Sequence, residues 1–192
     1  MQQYRAFLDE IEQLKLVERR NRVVDRSRFE NSAEHSWNVA LMAHVLAEFA
    51  PEGTDISEAV LMLLVHDLVE IGAGDTWAYA PEAGTHVQED KEREAAQALF
   101  AKLPNALGQQ YLELWETFNA RETPTARYAA AIDALQPLHN HVCSGGFADG
   151  EPRPTEAAVR ARKEIIRLTS PALWRFAEEL IEASTTHGTF AQ

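Results

Sequence analysis

The sequence predicts an all-α fold, and three observations carry the prediction. Apolar residues recur at helical spacing through most of the chain, in about eight stretches bounded by capping residues, proline or glycine. No stretch of useful length alternates apolar and polar residues as a half-buried strand would. The run Ala59-Val60-Leu61-Met62-Leu63-Leu64-Val65 is apolar on every side, which marks a helix buried on most faces and central to the fold.

The first helix is expected over residues 4–17, on Phe7, Leu8, Ile11, Leu14 and the Leu16-Val17 pair. The arginine-rich segment 19–30 reads as irregular, with Val23-Val24 as a short apolar anchor. Asn31-Ser32 caps a second helix over 33–49, which Pro51 and Gly53 stop. Asp55-Ile56-Ser57-Glu58 has the form of a capping box. It opens the third helix, which carries the apolar run and ends at Gly72 and Gly74. After a loop over 76–88, a fourth helix is expected over 88–103 and a fifth over 106–119. Thr123-Pro124 places proline at the first position of a sixth helix, reaching residue 143. The glycine- and proline-rich segment 144–154 is a loop, a lid or variable insertion rather than a domain boundary. A seventh helix over 155–168 and an eighth, capped by Ser170-Pro171 and running to 184, are too little to fold alone. The tail, 185–192, is expected to fray. Residues 1–192 therefore read as one domain, a single compact bundle of about eight helices.

The 192 residues, 45% apolar and 25% charged, suit a globular protein with a sizeable core. No apolar run approaches the roughly 20 residues of a membrane span, and the N-terminal residues lack the apolar core of a signal peptide. The single cysteine, Cys143, cannot form an internal disulfide; it fits a reducing cytoplasm and reads as a buried small apolar residue. The net charge of −12 argues against a nucleic-acid-binding surface, which needs a basic footprint. The positive charge is uneven, however. Arg19, Arg20, Arg22, Arg26 and Arg28 are five of the eighteen Lys and Arg residues. They form either a solvated loop with structural arginines paired to Glu18, Glu30 or Glu34, or a local anion site.

Metal and proton chemistry concentrates in His66-Asp67-Leu68-Val69-Glu70-Ile71-Gly72-Ala73-Gly74-Asp75. An adjacent His-Asp pair on a buried helix is costly unless something offsets its desolvation, and a metal ion accepts both groups. His35, in the first turn of helix two, and Asp133, on helix six, complete a candidate set of two imidazoles and two carboxylates. That mixed set suits a divalent first-row ion better than an all-oxygen Ca²⁺ or Mg²⁺ cage. No local pattern joins the set, so it is a statement about packing. Taken singly, His35 reads as a helix residue bonded to backbone, Glu70 as a helix-end surface residue and Asp75 as a turn cap. Trp77 and Tyr79 read as loop anchors, and His44, His139 and His141 as packing residues.

Together these residues resemble a known pattern. A lone His, a distant His-Asp pair and a later Asp are similar to the signature of the HD-domain superfamily of metal-dependent phosphohydrolases. Ser32-Ala33-Glu34-His35-Ser36, then His66-Asp67 with Glu70 and Gly74-Asp75, resemble the 5′-deoxynucleotidase branch. Leu14-Lys15-Leu16-Val17-Glu18-Arg19 is similar to that branch's N-terminal helix end, where an arginine reaches substrate phosphate. The resemblance covers roughly residues 4–140. It implies His35, His66, Asp67 and Asp133 as ligands of one divalent transition metal ion (Mn, Co, Fe, Zn or Ni). It implies Glu70 and Asp75 as the acid-base and water-orienting pair, and Arg19 as the phosphate contact. The chemistry is consistent. A metal lowers the pKa of a bound water and polarises a phosphoryl oxygen, and neighbouring carboxylates handle protons. Glu70 lies one helical turn beyond His66, and two glycines let the chain return Asp75 to the same cavity.

The expected function is metal-dependent hydrolysis of (deoxy)nucleoside 5′-monophosphates to nucleoside and phosphate, in a cytoplasmic protein without nucleic-acid or membrane partners. The alternatives are a phosphodiesterase or a phosphatase for another small phosphate ester. A further alternative is a non-catalytic helical regulatory module with a structural metal, against which the spare carboxylates count. A homodimer is expected from the resemblance. The apolar faces of helix four and the last two helices are free to pack within the domain or against a second copy.

Overall fold

A computed structural model describes residues 1–81, 83–147 and 150–191. Helix α1 (Gln2–Ile11) buries Phe7 and tightens into a 3₁₀ turn, Glu12–Leu16, that buries Leu14. The arginine-rich segment is not irregular. It forms an antiparallel hairpin of β1 (Glu18–Arg22) and β2 (Phe29–Asn31), pairing Glu18 with Asn31 and Arg22 with Phe29. Along β1 the inward positions are Arg19 and Asn21, and Arg26 turns the chain at φ 62°.

Helix α2 (Ser32–Val45) starts on a complete capping box: Asn31 Oδ1 accepts from the Glu34 N–H, and the Glu34 carboxylate accepts from the Asn31 N–H. Helix α3 (Ile56–Val65) is capped by Asp55, which accepts from the Glu58 N–H. The expected third helix is interrupted after Val65. A 3₁₀ turn, His66–Val69, leads into the single-turn α4 (Glu70–Ala73), which Gly74 ends at φ 78°. Such tightening within a helix is common where side chains must be re-aimed. Then follow α5 (His86–Phe100), α6 (Asn105–Ala120) and α7 (Pro124–Ser144), the last with Thr123 as cap and Gly145 as left-handed stop. The expected seventh helix is also split, into α8 (Glu156–Arg162) and α9 (Glu164–Thr169), with Lys163 between them. Helix α10 (Pro171–Thr186) closes the bundle under a Ser170 cap.

Two apolar clusters form the core, and α3 serves both. Ala59, Met62 and Leu63 join Val39, Ala43, Ile132, Leu135, Ile166 and Ile181 in one; Val65 joins Phe7, Leu14, Leu99, Phe100 and Trp115 in the other. The apolar run is not buried all round, because Leu61 and Leu64 are 39% and 44% exposed. Buried Tyr128 donates its hydroxyl to Ala43 O at 2.8 Å and so pins α7 to α2. That contact fixes the register between the helices carrying Asp133 and His35.

The apolar faces of α5 and α10 pack inward, on Ala96, Leu99 and Phe100 and on Leu173, Ala177 and Ile181. Where a frayed tail is expected, the chain folds back: Thr189 is buried and the Ala191 N–H donates to Pro154 O at 3.0 Å. Cys143 is exposed, contrary to expectation, and lies beside His139. In the loop at 144–154, Ala148 and Asp149 lie outside the described residues; Glu151 accepts from Arg22 at 2.6 Å and ties the loop to the hairpin. No described helix is long and apolar enough to cross a membrane.

Candidate metal centre and active site

His35, His66 and Asp133 each offer a ligand atom, and the three atoms lie within 4.8 Å of one another. Each histidine is oriented by its second nitrogen. His35 Nδ1–H donates to Gln136 Oε1 at 3.0 Å, and His66 Nδ1–H donates to Leu63 O at 2.8 Å. Both Nε2 atoms are thereby turned towards Asp133 Oδ1, at 3.0 Å from His35 and 3.6 Å from His66. Among the described residues, His66 Nε2 is buried and has no partner with hydrogen-bond geometry. Two imidazole lone pairs aimed at a carboxylate repel it unless a proton or a metal cation lies between. This is the donor set and the orientation that a divalent ion needs.

Asp67 stands beside the cluster, with Oδ1 3.0 Å from His66 Nε2 and Oδ2 3.8 Å from His35 Nε2. Its Oδ2 also accepts from Arg19 Nη1 at 2.8 Å. The same Nη1 lies 3.7 Å from Asp75 Oδ1 and 3.9 Å from Glu70 Oε1. The hairpin thus drives one guanidinium among three carboxylates, and the seven residues singled out in the sequence converge on one place.

The charges are strongly coupled to burial. Burial alone lowers the His66 pKa, but Asp67 and Asp133 outweigh it and raise it well above its usual value. Burial raises the carboxyls of Asp67 and Asp133, yet facing cations and hydrogen bonds leave Asp67 at about 2 and Asp133 well below its ordinary range. Glu70 goes the other way. Burial and then the Asp67 charge push it up to about 9, against the opposing pull of Arg19. Asp75 is raised too, by burial first, with Arg19 opposing. The site therefore holds two firmly ionised carboxylates and one that keeps its proton at neutral pH.

Ser32, fully buried at the first position of α2, donates its hydroxyl to Glu70 Oε2 at 2.5 Å. Gln136 donates to buried Glu30 at 3.1 Å and so completes a chain from His35 to Glu30. Neither Ser32, Gln136 nor Glu30 stands out in the sequence as a site residue. Gln136 had one available signal, its place one turn after Asp133 on the same helix. Replacing Gln136 by leucine is expected to weaken metal affinity by about 10–100-fold through loss of the His35 tautomer lock, read by competition against a chromogenic chelator.

A small cleft of about 100 Å³ opens beside the cluster and includes Arg19 and Asp75 in its lining, with Trp77, Tyr79, His141 and Lys163. Arg20 lies over the Trp77 ring at 5.5 Å, and His141 Nε2 bonds to Asn21 Oδ1 at 3.1 Å. The other arginines serve the hairpin. Arg22 pairs with Glu151, Arg28 pairs with Glu34, and Arg26 reaches the carbonyls of Gly145 and Phe147.

A buried histidine–aspartate cluster on helices, with a cation from the hairpin and extra carboxylates at its mouth, defines a mainly helical protein built around a divalent-metal site. The chain belongs to the HD domain family of metal-dependent phosphohydrolases: the HD domain family model matches residues 11–174. It is 30% identical over 173 residues to the 5′-deoxynucleotidase HDDC2 of Bos taurus, covering 85% of this chain and 81% of that protein. It is 29% identical over 131 residues to the 5′-deoxynucleotidase HDDC2 of Homo sapiens, covering 68% and 62% respectively. Its fold is similar to that of a predicted metal-dependent phosphohydrolase from Magnetospirillum magnetotacticum MS-1, with a TM-score of 0.89 and 38% identity over 99% of this chain and 97% of that one.

Proposed function

We propose that this protein hydrolyses (deoxy)nucleoside 5′-monophosphates to nucleoside and phosphate, with residues 1–192 acting as one catalytic domain. The observation that carries the reading is the convergence of Arg19, Glu70 and Asp75 on the mouth of the His35–His66–Asp133 cluster, beside a small cleft that Arg19 and Asp75 also line. The HDDC2 relatives support the choice of substrate. In this reading His35, His66, Asp67 and Asp133 hold one divalent transition metal ion, which supplies Lewis-acid activation when bound. Arg19 binds the phosphate, since a guanidinium matches its geometry and stays charged at any working pH. Asp75 orients the attacking water. Glu70, protonated at neutral pH and held by Ser32, delivers a proton to the leaving 5′-oxygen.

Phosphate release from a panel of nucleoside monophosphates, cyclic nucleotides and other phosphate esters tests the proposal, after chelation and with Mn²⁺ or Co²⁺ restored. Metal-dependent release confined to 5′-monophosphates is the expected result. Release only from diesters or other esters favours the alternative substrates, and no release from any ester overturns the enzymatic reading. A cytoplasmic location and a homodimer belong to the same proposal. The exposed α2 stripe of Trp37, Leu41 and Val45, one turn apart, supports the dimer, which analytical ultracentrifugation reads directly.

A further inference from the structure

Lys163 is only 6% exposed, and among the described residues its ammonium has no hydrogen bond or ion pair. Buried lysines are rare without a partner. The sequence places it on the inner face of its segment, four residues after buried Val159 and three before buried Ile166. At that point the chain leaves the α conformation, with φ −93° and ψ 6°, and α8 gives way to α9. The break turns the long side chain into the cleft that Arg19 and Asp75 also line. Burial lowers its pKa to about 8; among its neighbours Asp133 is the strongest influence, followed by the like charges of Arg162 and Arg19. Lys163 and Arg19 thus line the same small cleft.

Resting on the proposed phosphohydrolase activity, we propose that Lys163 is a second phosphate ligand, completing with Arg19 a two-cation seat for the substrate's phosphate oxygens in the cleft that both line. A buried lysine held without a partner destabilises the fold, and an arriving dianion supplies the missing counter-charge. Arg19 already donates to Asp67, so one guanidinium is shared between the carboxylates and the ligand, whereas Lys163 is uncommitted. The two groups approach from different elements, β1 and the α8–α9 junction, and so enclose the phosphate from two sides.

The test uses the full chain loaded with Mn²⁺ and inorganic phosphate as the probe, with titration calorimetry for affinity. Lys163→Met is expected to weaken phosphate binding about tenfold or more, the loss of one charge-assisted hydrogen bond, and to raise KM more than it lowers kcat. Metal content should be unchanged and the melting temperature equal or higher, because an unpaired buried charge has been removed. Lys163→Arg should recover part of the affinity. Unchanged phosphate affinity in Lys163→Met overturns the inference. So does a loss of affinity accompanied by lost metal or a lower melting temperature, which marks a structural counter-ion to Asp133. If the unaltered protein neither binds phosphate nor releases it from any ester, the phosphohydrolase reading falls, and this inference with it.

Discussion

Asp133→Ala is expected to leave the protein folded and without metal. Asp133 is the carboxylate that faces both histidines, at 3.0 Å from His35 Nε2 and 3.6 Å from His66 Nε2. Side-chain exposure of 30% makes it the most open member of the cluster, so its removal opens no sealed cavity in the core. The two imidazoles remain oriented by Gln136 and by Leu63 O, but nothing then closes the site opposite them. The loss should exceed that of Gln136→Leu, because a ligand is deleted rather than its support. Metal analysis after gel filtration reads the outcome, and phosphate release should fall to the level of the chelated protein. Full metal content in Asp133→Ala would place the ion elsewhere, most directly between Asp67 and the histidines.

Much of this arrangement is legible in the sequence because it rests on local rules. Asn31, Asp55, Thr123 and Ser170 announce helix starts through side-chain caps that require no tertiary partner. The hairpin is hidden for a physical reason. Strand periodicity is read from alternating apolar residues, and the inward positions of β1 are Arg19 and Asn21, which face the site instead of a core. Apolar periodicity also runs straight through His66 and Lys163, so it carries no trace of the two helix breaks. Both breaks lie where a polar side chain is turned inward. Leu61 and Leu64 show the converse limit: composition marks them as apolar, but only packing decides which face of α3 is covered. In the site itself, residues with distinctive chemistry stand out, namely His35, the His66-Asp67 pair, Glu70 and Asp75. Ser32 and Gln136 do not, since hydroxyls and amides are common everywhere and acquire meaning only from their partners.

Glu70→Gln is expected to abolish turnover while sparing the metal. The amide keeps the shape of the carboxylic acid and can still accept from Ser32, but it has no proton to deliver to an alkoxide. A loss of about 10²–10⁴ in kcat is the scale expected for removing a positioned general acid. The pH dependence separates this role from others. Burial and the Asp67 charge raise the Glu70 carboxyl to about 9, so it is the protonated form that is active and kcat falls as pH rises through that pKa. A divalent cation in the cluster repels the proton, so the limb in the loaded enzyme lies below that value. Ser32 donates to the ionised carboxylate and favours it; Ser32→Ala should therefore move the alkaline limb to higher pH. Stability follows from the same shift. The folded state holds a proton on Glu70 that the unfolded chain releases near the ordinary glutamate pKa of about 4.3. Chelated protein thus loses stability between that pH and about 9, and Glu70→Gln, neutral throughout, should melt increasingly higher than the unaltered chain across this window. If Glu70→Gln instead loses its metal, Glu70 is a ligand and the proton comes from Asp75 or from water. If turnover is retained with the alkaline limb intact, the leaving group needs no protein acid.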